Sequence, residues 1–243
     1  MNRDFNGSIC TDVEWVGRAH CEKCHVRYMM FFSELPNTAF EHLLSPIDHM
    51  QYPAGSTIYE VDSHKKFTYS IRRGMVKLIY TDEDGEYRIV RLMGPGTVIG
   101  LELLDGAKGY HHTAVGITDV DLCRIPVATV EQLETEHPAL CTRVADQLQE
   151  QLNLADQWII ALGSGSAKHR VARLVLMLNE FYADKDGIFI LLSREDMAAM
   201  IGIATETVSR MIAEFKRLNI LNKTSKKHYT CDATALNEII RNE

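Results

Sequence analysis

The segment Leu191–Cys231, LLSREDMAAMIGIATETVSRMIAEFKRLNILNKTSKKHYTC, decides how the chain is read. Ser193 precedes Asp196 by three residues, the spacing at which a hydroxyl receives the N–H of the third residue of a helix. Met197, Met200 and Ile201 then form an apolar stripe, and Gly202 stops the helix. A second helix beginning near Thr205 is expected to bury Val208, Met211, Ile212 and Phe215. Two short helices broken by a glycine have helix–turn–helix spacing. On the outer face of the second, Thr205, Glu206, Ser209 and Arg210 lie near its leading end, and positions 206, 209 and 210 project together. Arginine can donate twice to guanine, and glutamate can accept from the cytosine amino group. A carboxylate gains nothing beside phosphates, so Glu206 argues for base readout. The following Leu221–Tyr229 reads as a β-hairpin wing whose Lys226 and Lys227 are suited to phosphate.

The charge distribution agrees with this reading. The chain of 243 residues carries a net charge of −7, which argues against nonspecific nucleic-acid binding by the whole molecule. From Ala167 to Glu243, however, there are 12 Lys and Arg against 10 Asp and Glu, and within Thr205–Thr230 six against two. A locally basic module on an acidic body is compatible with double-stranded DNA as a partner. A hydrophobic fraction of 46% is enough for packed cores. No apolar run reaches the roughly 18 residues that span a bilayer, and the N-terminus has acids where a secretory signal has an apolar centre. The expectation is a cytoplasmic protein without a membrane partner.

Upstream, residues from about 50 to 125 read as short strands with turns between them. Thr57–Tyr59, Thr68–Ile71, Val76–Tyr80 and Tyr87–Leu92 alternate with Pro53-Ala54-Gly55, Arg73-Gly74, Asp82–Gly85 and Gly94-Pro95-Gly96. Regular short strands suggest an all-β sandwich, barrel or roll. After Pro126 the period lengthens. Val144, Leu148, Gln151 or Leu152, Ala155, Ile159 and Leu162 define one long amphipathic helix ending at Gly163–Ser166, a hinge candidate. That stripe suits either packing on its own β domain or a dimer seam, and the seam is favoured.

His20-Cys21-Glu22-Lys23-Cys24-His25 is the other conspicuous motif. Alone it matches a c-type haem attachment, half of a zinc site, part of an iron–sulfur site or a redox dithiol. Haem attachment requires export, and six cysteines in a reducing compartment are thiols or ligands rather than disulfides. No Ser-His-Asp order, phosphate-cradling loop or zinc-hydrolase spacing marks an enzyme. An electron carrier would use the cysteine pair and leave the second helix unexplained.

Over most of its length the chain resembles the CRP/FNR superfamily of bacterial transcription regulators, and its Thr205-Glu206-Thr207-Val208-Ser209-Arg210 resembles the recognition helix of the FNR-like branch. The resemblance implies an α+β fold. Residues 1–30 would be a cysteine-bearing sensor arm, 31–135 a jelly-roll-like β-roll similar to cyclic-nucleotide-binding domains, 136–163 a dimerisation helix and 164–243 a winged helix–turn–helix. It implies a homodimer with Val144, Leu148, Gln151, Leu152, Ala155, Asp156 and Ile159 at the seam, Asp156 opposing dimerisation by repulsion. It implies TTGAT…ATCAA half-sites, and an RNA polymerase contact at Asp84, Gly85 and Glu86. It further implies an oxygen-responsive [4Fe-4S] cluster. Cys21 and Cys24 match the N-terminal pair, and Cys123, within Asp121–Pro126, matches the distant ligand. Where the family places a third N-terminal cysteine this chain has Met29-Met30-Phe31-Phe32, and Cys10 is the substitute. Zinc, haem or dithiol sensing remain the other readings. The nucleotide-binding branch places glutamate and arginine where this chain has Gly96–Gly100 and His112-Thr113-Ala114, so no cyclic nucleotide is expected. Cys141 and Cys231 read as ordinary buried or partly buried thiols, and His111-His112 as a turn.

Overall fold

The structure is a computed structural model that describes residues 13–24 and 26–242. The chain forms two compact units, one running up to Asp82 and including Val90–Leu152, the other made of Glu83–Ile89 and the chain from Asn153 onward.

The first unit is built on short strands: β1 (Glu14–Arg18), β2 (Asp48–Tyr52), β3 (Thr57–Tyr59), β4 (Phe67–Arg73), β5 (Val76–Thr81), the part of β6 (Tyr87–Met93) from Val90 on, β7 (Val98–Ile99), β8 (Thr113–Gly116) and β9 (Val120–Pro126). One sheet has the order β1-β2-β9-β4-β7 and the other β3-β8-β5-β6. The five-stranded sheet is covered on both faces, and its period of two sorts the side chains. Met50, Tyr52, Tyr69, Ile71 and Leu122 point into a core shared with Ile58, Tyr59, Val76 and Leu78 of the second sheet. The alternate positions Ile47 and Ile125 belong to a second core with Phe31, Phe32, Leu35, Val130, Leu133, Leu140 and Val144. Cys123 lies on this second face, with His49 and Ser70 as its cross-strand neighbours. With a core on each side, β9 (VDLCRIP) buries Leu122 on one face and Ile125 on the other, while Asp121 and Arg124 are half-buried.

After β9 the chain enters α1 (Val127–Glu136) and, past Pro138, the longer α2 (Ala139–Leu162). The sequence pattern marks α2, whereas α1 is too short and weakly patterned to stand out. The strand β1 was equally hidden, since EWVGR has no alternation; pairing with β2 creates it.

The second unit contains α3 (Ala167–Tyr182), β10 (Phe189–Ile190), α4 (Arg194–Ile201), α5 (Thr205–Arg217), β11 (Leu221–Lys223), β12 (His228–Cys231) and α6 (Ala233–Arg241). α3 packs against α4, α5 and α6, and the small sheet has the order β10-β12-β11. Val171, Leu174, Val175, Leu178, Met197, Val208, Ile212, Phe215 and Leu236 are buried. Among the described residues no helix is long and apolar enough to cross a membrane.

Candidate functional site

The helix pair is built by the local signals its sequence carries. Ser193 Oγ accepts the N–H of Asp196 at 2.9 Å and starts α4. Gly202 ends it in the left-handed conformation, φ 67° and ψ 45°, which a side chain would strain. Arg170 Nη1 donates to the carbonyl of Ile201 at 2.8 Å and holds the turn from α3. α5 then buries Val208, Ile212 and Phe215, while Met211 is only half-buried. Glu206, Ser209 and Arg210 are exposed and Thr205 half-buried, so the predicted reading face is presented as expected from the helical period. The leading end of α5 has Ala204 at its cap with no side-chain bond. Lys226 and Lys227 are exposed in the β11–β12 turn. That hairpin is pinned to α5 by Lys216, whose Nζ donates to Tyr229 Oη at 2.9 Å and sits 4.7 Å from the ring centre.

On α2 the expected seam divides. Val144 is buried in the first unit's core, and Gln151 Nε2 donates to the carbonyl of Val98 at 2.8 Å. Both are engaged within their own chain. Leu148, Leu152 and Ile159 are 44%, 52% and 71% exposed, and Ala155 and Asp156 lie between them, half-buried and exposed. Ile160, 75% exposed, extends this apolar surface and was not singled out by the stripe. Cys141, on the same helix, is exposed rather than buried, and Cys231 is half-buried.

The cysteines converge. Cys21, Cys24 and Cys123, from a short helical turn (Cys21–Lys23), its end and β9, line one small apolar cavity with Arg27, Met30, Phe32, Ile47, Ser70 and Ile125. Burial first, then Cys24, pushes the Cys21 thiol up to about 11. Burial and then Cys21 push Cys123 up to about 12. Arg72 acts in the opposite direction on both thiols, and Arg27 on Cys21. Met30, buried and within the segment that replaces a third cysteine, adds a fourth sulfur to the lining and accepts a hydrogen bond from Ser70 Oγ. Its neighbour Phe31 stacks on Phe32, with ring centres 4.0 Å apart. Cys10 lies outside the described residues, as does His25, and His20 is exposed beside Glu22.

Among the described residues no three His, Cys, Asp or Glu side chains converge on a point where one metal ion would sit. A four-iron cube takes one thiolate at each corner, so its ligands need not share a point. Three thiols around one apolar cavity match such a cube in donor type and would hold three of its four corners were one bound.

Around Gly100 the interior of the roll is filled by tyrosines. Tyr59 stacks on Tyr110 with centres 3.8 Å apart and packs against Tyr69 at 5.6 Å, and all three are buried. Gly100, at φ 78°, lies so close to Tyr110 that a Cβ there would come within 2.9 Å of the ring. Tyr110 Oη donates to the carbonyl of Phe67 at 2.7 Å and locks this plug. Asp84, Gly85 and Glu86 form the exposed β5–β6 turn. Met30, Arg72 and the tyrosine plug are the site features that sequence reasoning missed. No motif marks them, because they act through cross-strand placement.

A profile of the cyclic nucleotide-binding domain matches residues 49–137, and one of the Crp-like helix-turn-helix domain matches residues 169–239. The transcriptional regulatory protein btr of Bordetella pertussis is 24% identical over 230 residues, covering 93% of this chain and 95% of that protein. The transcriptional activator protein FnrL of Cereibacter sphaeroides is 24% identical over 220 residues, 86% of each chain. The solved structure of FixK2 from Bradyrhizobium japonicum superposes with a TM-score of 0.71 at 22% identity, covering 79% of this chain and 96% of that one. These relatives are regulators, not enzymes.

Proposed function

The chain belongs to the CRP/FNR superfamily of DNA-binding transcription regulators, and from that premise we propose that it couples an N-terminal [4Fe-4S] cluster to the reading of TTGAT…ATCAA palindromes. Regulators of this family bind DNA and act as dimers. The observation that carries the sensing part is the meeting of Cys21, Cys24 and Cys123 at one cavity, although about a hundred residues separate the pair from the third. Cys10 completes four thiolates in this reading. When bound, the cluster supplies an oxygen-labile centre whose loss is the signal.

The chain's own residues do the rest. Cys21 and Cys24 tie the N-terminal segment to β9, which lies against α1 and, through the second core, α2. A change at the cavity therefore acts on the layer that carries the α2 seam. Leu148, Leu152, Ile159 and Ile160 form that seam, with Asp156 placing a carboxylate within it. Burying paired carboxylates costs energy, so Asp156 keeps the dimer marginal and responsive. In the dimer two α5 helices present Glu206, Ser209 and Arg210 to successive major grooves, with Lys226 and Lys227 on phosphate. Asp84, Gly85 and Glu86 are the surface offered to RNA polymerase. The three tyrosines packed inside the roll support a sensor that takes no cyclic nucleotide.

The test is anaerobic purification with iron, sulfide and absorbance assays, followed by gel shift on a TTGAT–ATCAA duplex. Near four irons and four sulfides per chain, and a shift lost in air, are expected. A metal-free protein that shifts equally with and without oxygen would overturn the reading. Full cluster content in Cys10→Ala would remove Cys10 from the ligand set.

A further inference from the structure

The thiol cavity has a neighbour that no motif records. Between Ile71 and Arg73 the β4–β9 ladder slips: Ile71 pairs with Leu122 and Arg73 with Asp121, leaving Arg72 as an extra residue. Bulges of this kind re-aim a side chain. Here the Arg72 guanidinium turns to the cysteine face, with Nε 3.8 Å from Asp121 Oδ1, two residues before Cys123. Asp121 is fixed from its other side by His49, which shares a hydrogen bond of 2.5 Å with it. The Arg72 side chain is only 24% exposed, and its Nε is buried without a hydrogen-bond acceptor among the described residues.

A guanidinium held this way is costly unless an anion uses it. Asp121 meets part of that demand and is shared with His49. Arg72 faces Asp121, which His49 also contacts, and acts through space on Cys21 and Cys123. The other nearby cation, Arg27, is committed elsewhere: it donates to Asn37 Oδ1 at 2.5 Å and to the Phe32 carbonyl at 3.3 Å, and lies 4.9 Å over the Phe40 ring. Arg72 is thus the cation with unspent hydrogen-bonding capacity beside the thiols.

We propose that Arg72, aimed by the β4 bulge and braced by the Asp121–His49 pair, is the built-in counter-charge for the sulfur-bound anion at Cys21, Cys24 and Cys123 and sets its electron affinity. The inference rests on the cluster reading above and deepens it. A cluster with four thiolates carries net negative charge that grows on reduction, and nearby charge and hydrogen bonds to sulfur tune its potential. A fixed guanidinium stabilises the reduced form more than the oxidised one. Removing it makes reduction harder and leaves the thiols less reactive.

The test compares wild type, Arg72→Leu, Arg72→Lys and Arg73→Leu, each checked for native circular dichroism and thermal unfolding. One arm measures the midpoint potential of the anaerobically reconstituted protein by dye-mediated titration. The other measures alkylation of Cys21 by iodoacetamide in metal-free protein, by mass spectrometry. Arg72→Leu is expected to move the midpoint to more negative potential and to slow alkylation relative to wild type. Arg72→Lys keeps the charge and falls between the two. Arg73→Leu removes the same formal charge from an exposed side chain and behaves as wild type. Unchanged midpoint and unchanged alkylation in Arg72→Leu, or equal effects from Arg73→Leu, overturn the proposal. If wild type takes up no iron and sulfide, the cluster reading fails by itself, and the alkylation arm still decides whether Arg72 is the counter-charge.

Discussion

The α4–α5 helix pair (the reader) and the thiol cavity, the two halves of the proposed function, are built in opposite ways. The reader comes from one continuous stretch, Ser193–Tyr229, and each feature is set by residues three or four apart: the Ser193 cap, the Gly202 turn and the exposed Glu206–Ser209–Arg210 face. The cavity comes from a helical turn at Cys21, a buried Met30, β2, β4 and β9, whose contributors span residues 21 to 125. A site made of local periodicity tolerates changes on its outer face and fails through its core. A site made of cross-strand contacts is altered at single positions without loss of the fold.

The largest expected effect breaks the reader from within. Phe215 is fully buried, so Phe215→Ala should cost about 3–5 kcal/mol. Scanning calorimetry should show the transition of the second unit falling while the β-rich unit melts as before. Coincident loss of both would show that the two are one cooperative body. Next comes the outer face. Arg210→Ala should lose about 1–3 kcal/mol of site-specific affinity with unchanged stability. In a salt series, Lys226→Ala should instead weaken all sequences alike and reduce the logarithmic salt slope by about one. An Arg210→Ala variant that keeps its preference for the palindrome would remove α5 from the reading role. Smaller still, Ser193→Ala should destabilise the reader by about 1 kcal/mol in urea denaturation, the usual value of a cap.

The smallest effect belongs to the sheet that carries the cavity. Burial pushes Asp48 up, but hydrogen bonds from Trp15 (3.0 Å) and Arg124 (2.6 Å) outweigh it, and its carboxyl lies below the ordinary range. A carboxylate depressed in the folded state contributes stability above its unfolded value, about 3.9, and that contribution is lost as pH falls through the folded value. Asp48→Asn should therefore lower urea-denaturation stability slightly at neutral pH and flatten its acid limb below about pH 4, where the wild type has already lost this contribution. An identical acid limb in the variant would show that this ion pair is not linked to folding.

Legibility followed the same divide. Thr205–Arg217 and Ala139–Leu162 were readable because a helix repeats its faces every three or four residues, so burial is written into spacing. Cys21, Cys24 and Cys123 were nominated by resemblance, while their meeting at one cavity required the fold. Val144 and Gln151 show the limit of a stripe. Both lie on the expected seam, yet one enters the chain's own core and the other bonds Val98, because periodicity gives a face and not what covers it. Ile160 was missed for the converse reason, being one position off the stripe.

By itself the sequence determined the two kinds of architecture, the helix pair with its reading face, the long helix and the cysteines at issue. All of these follow from local period, capping chemistry and residue type. The tertiary structure alone decided that Met30 joins the thiols, that three tyrosines fill the roll and that a one-residue slip aims Arg72 at the cysteine face. Strand pairing brings together residues dozens of positions apart, and the register that selects them is fixed by packing on both faces of the sheet rather than by any short run of sequence.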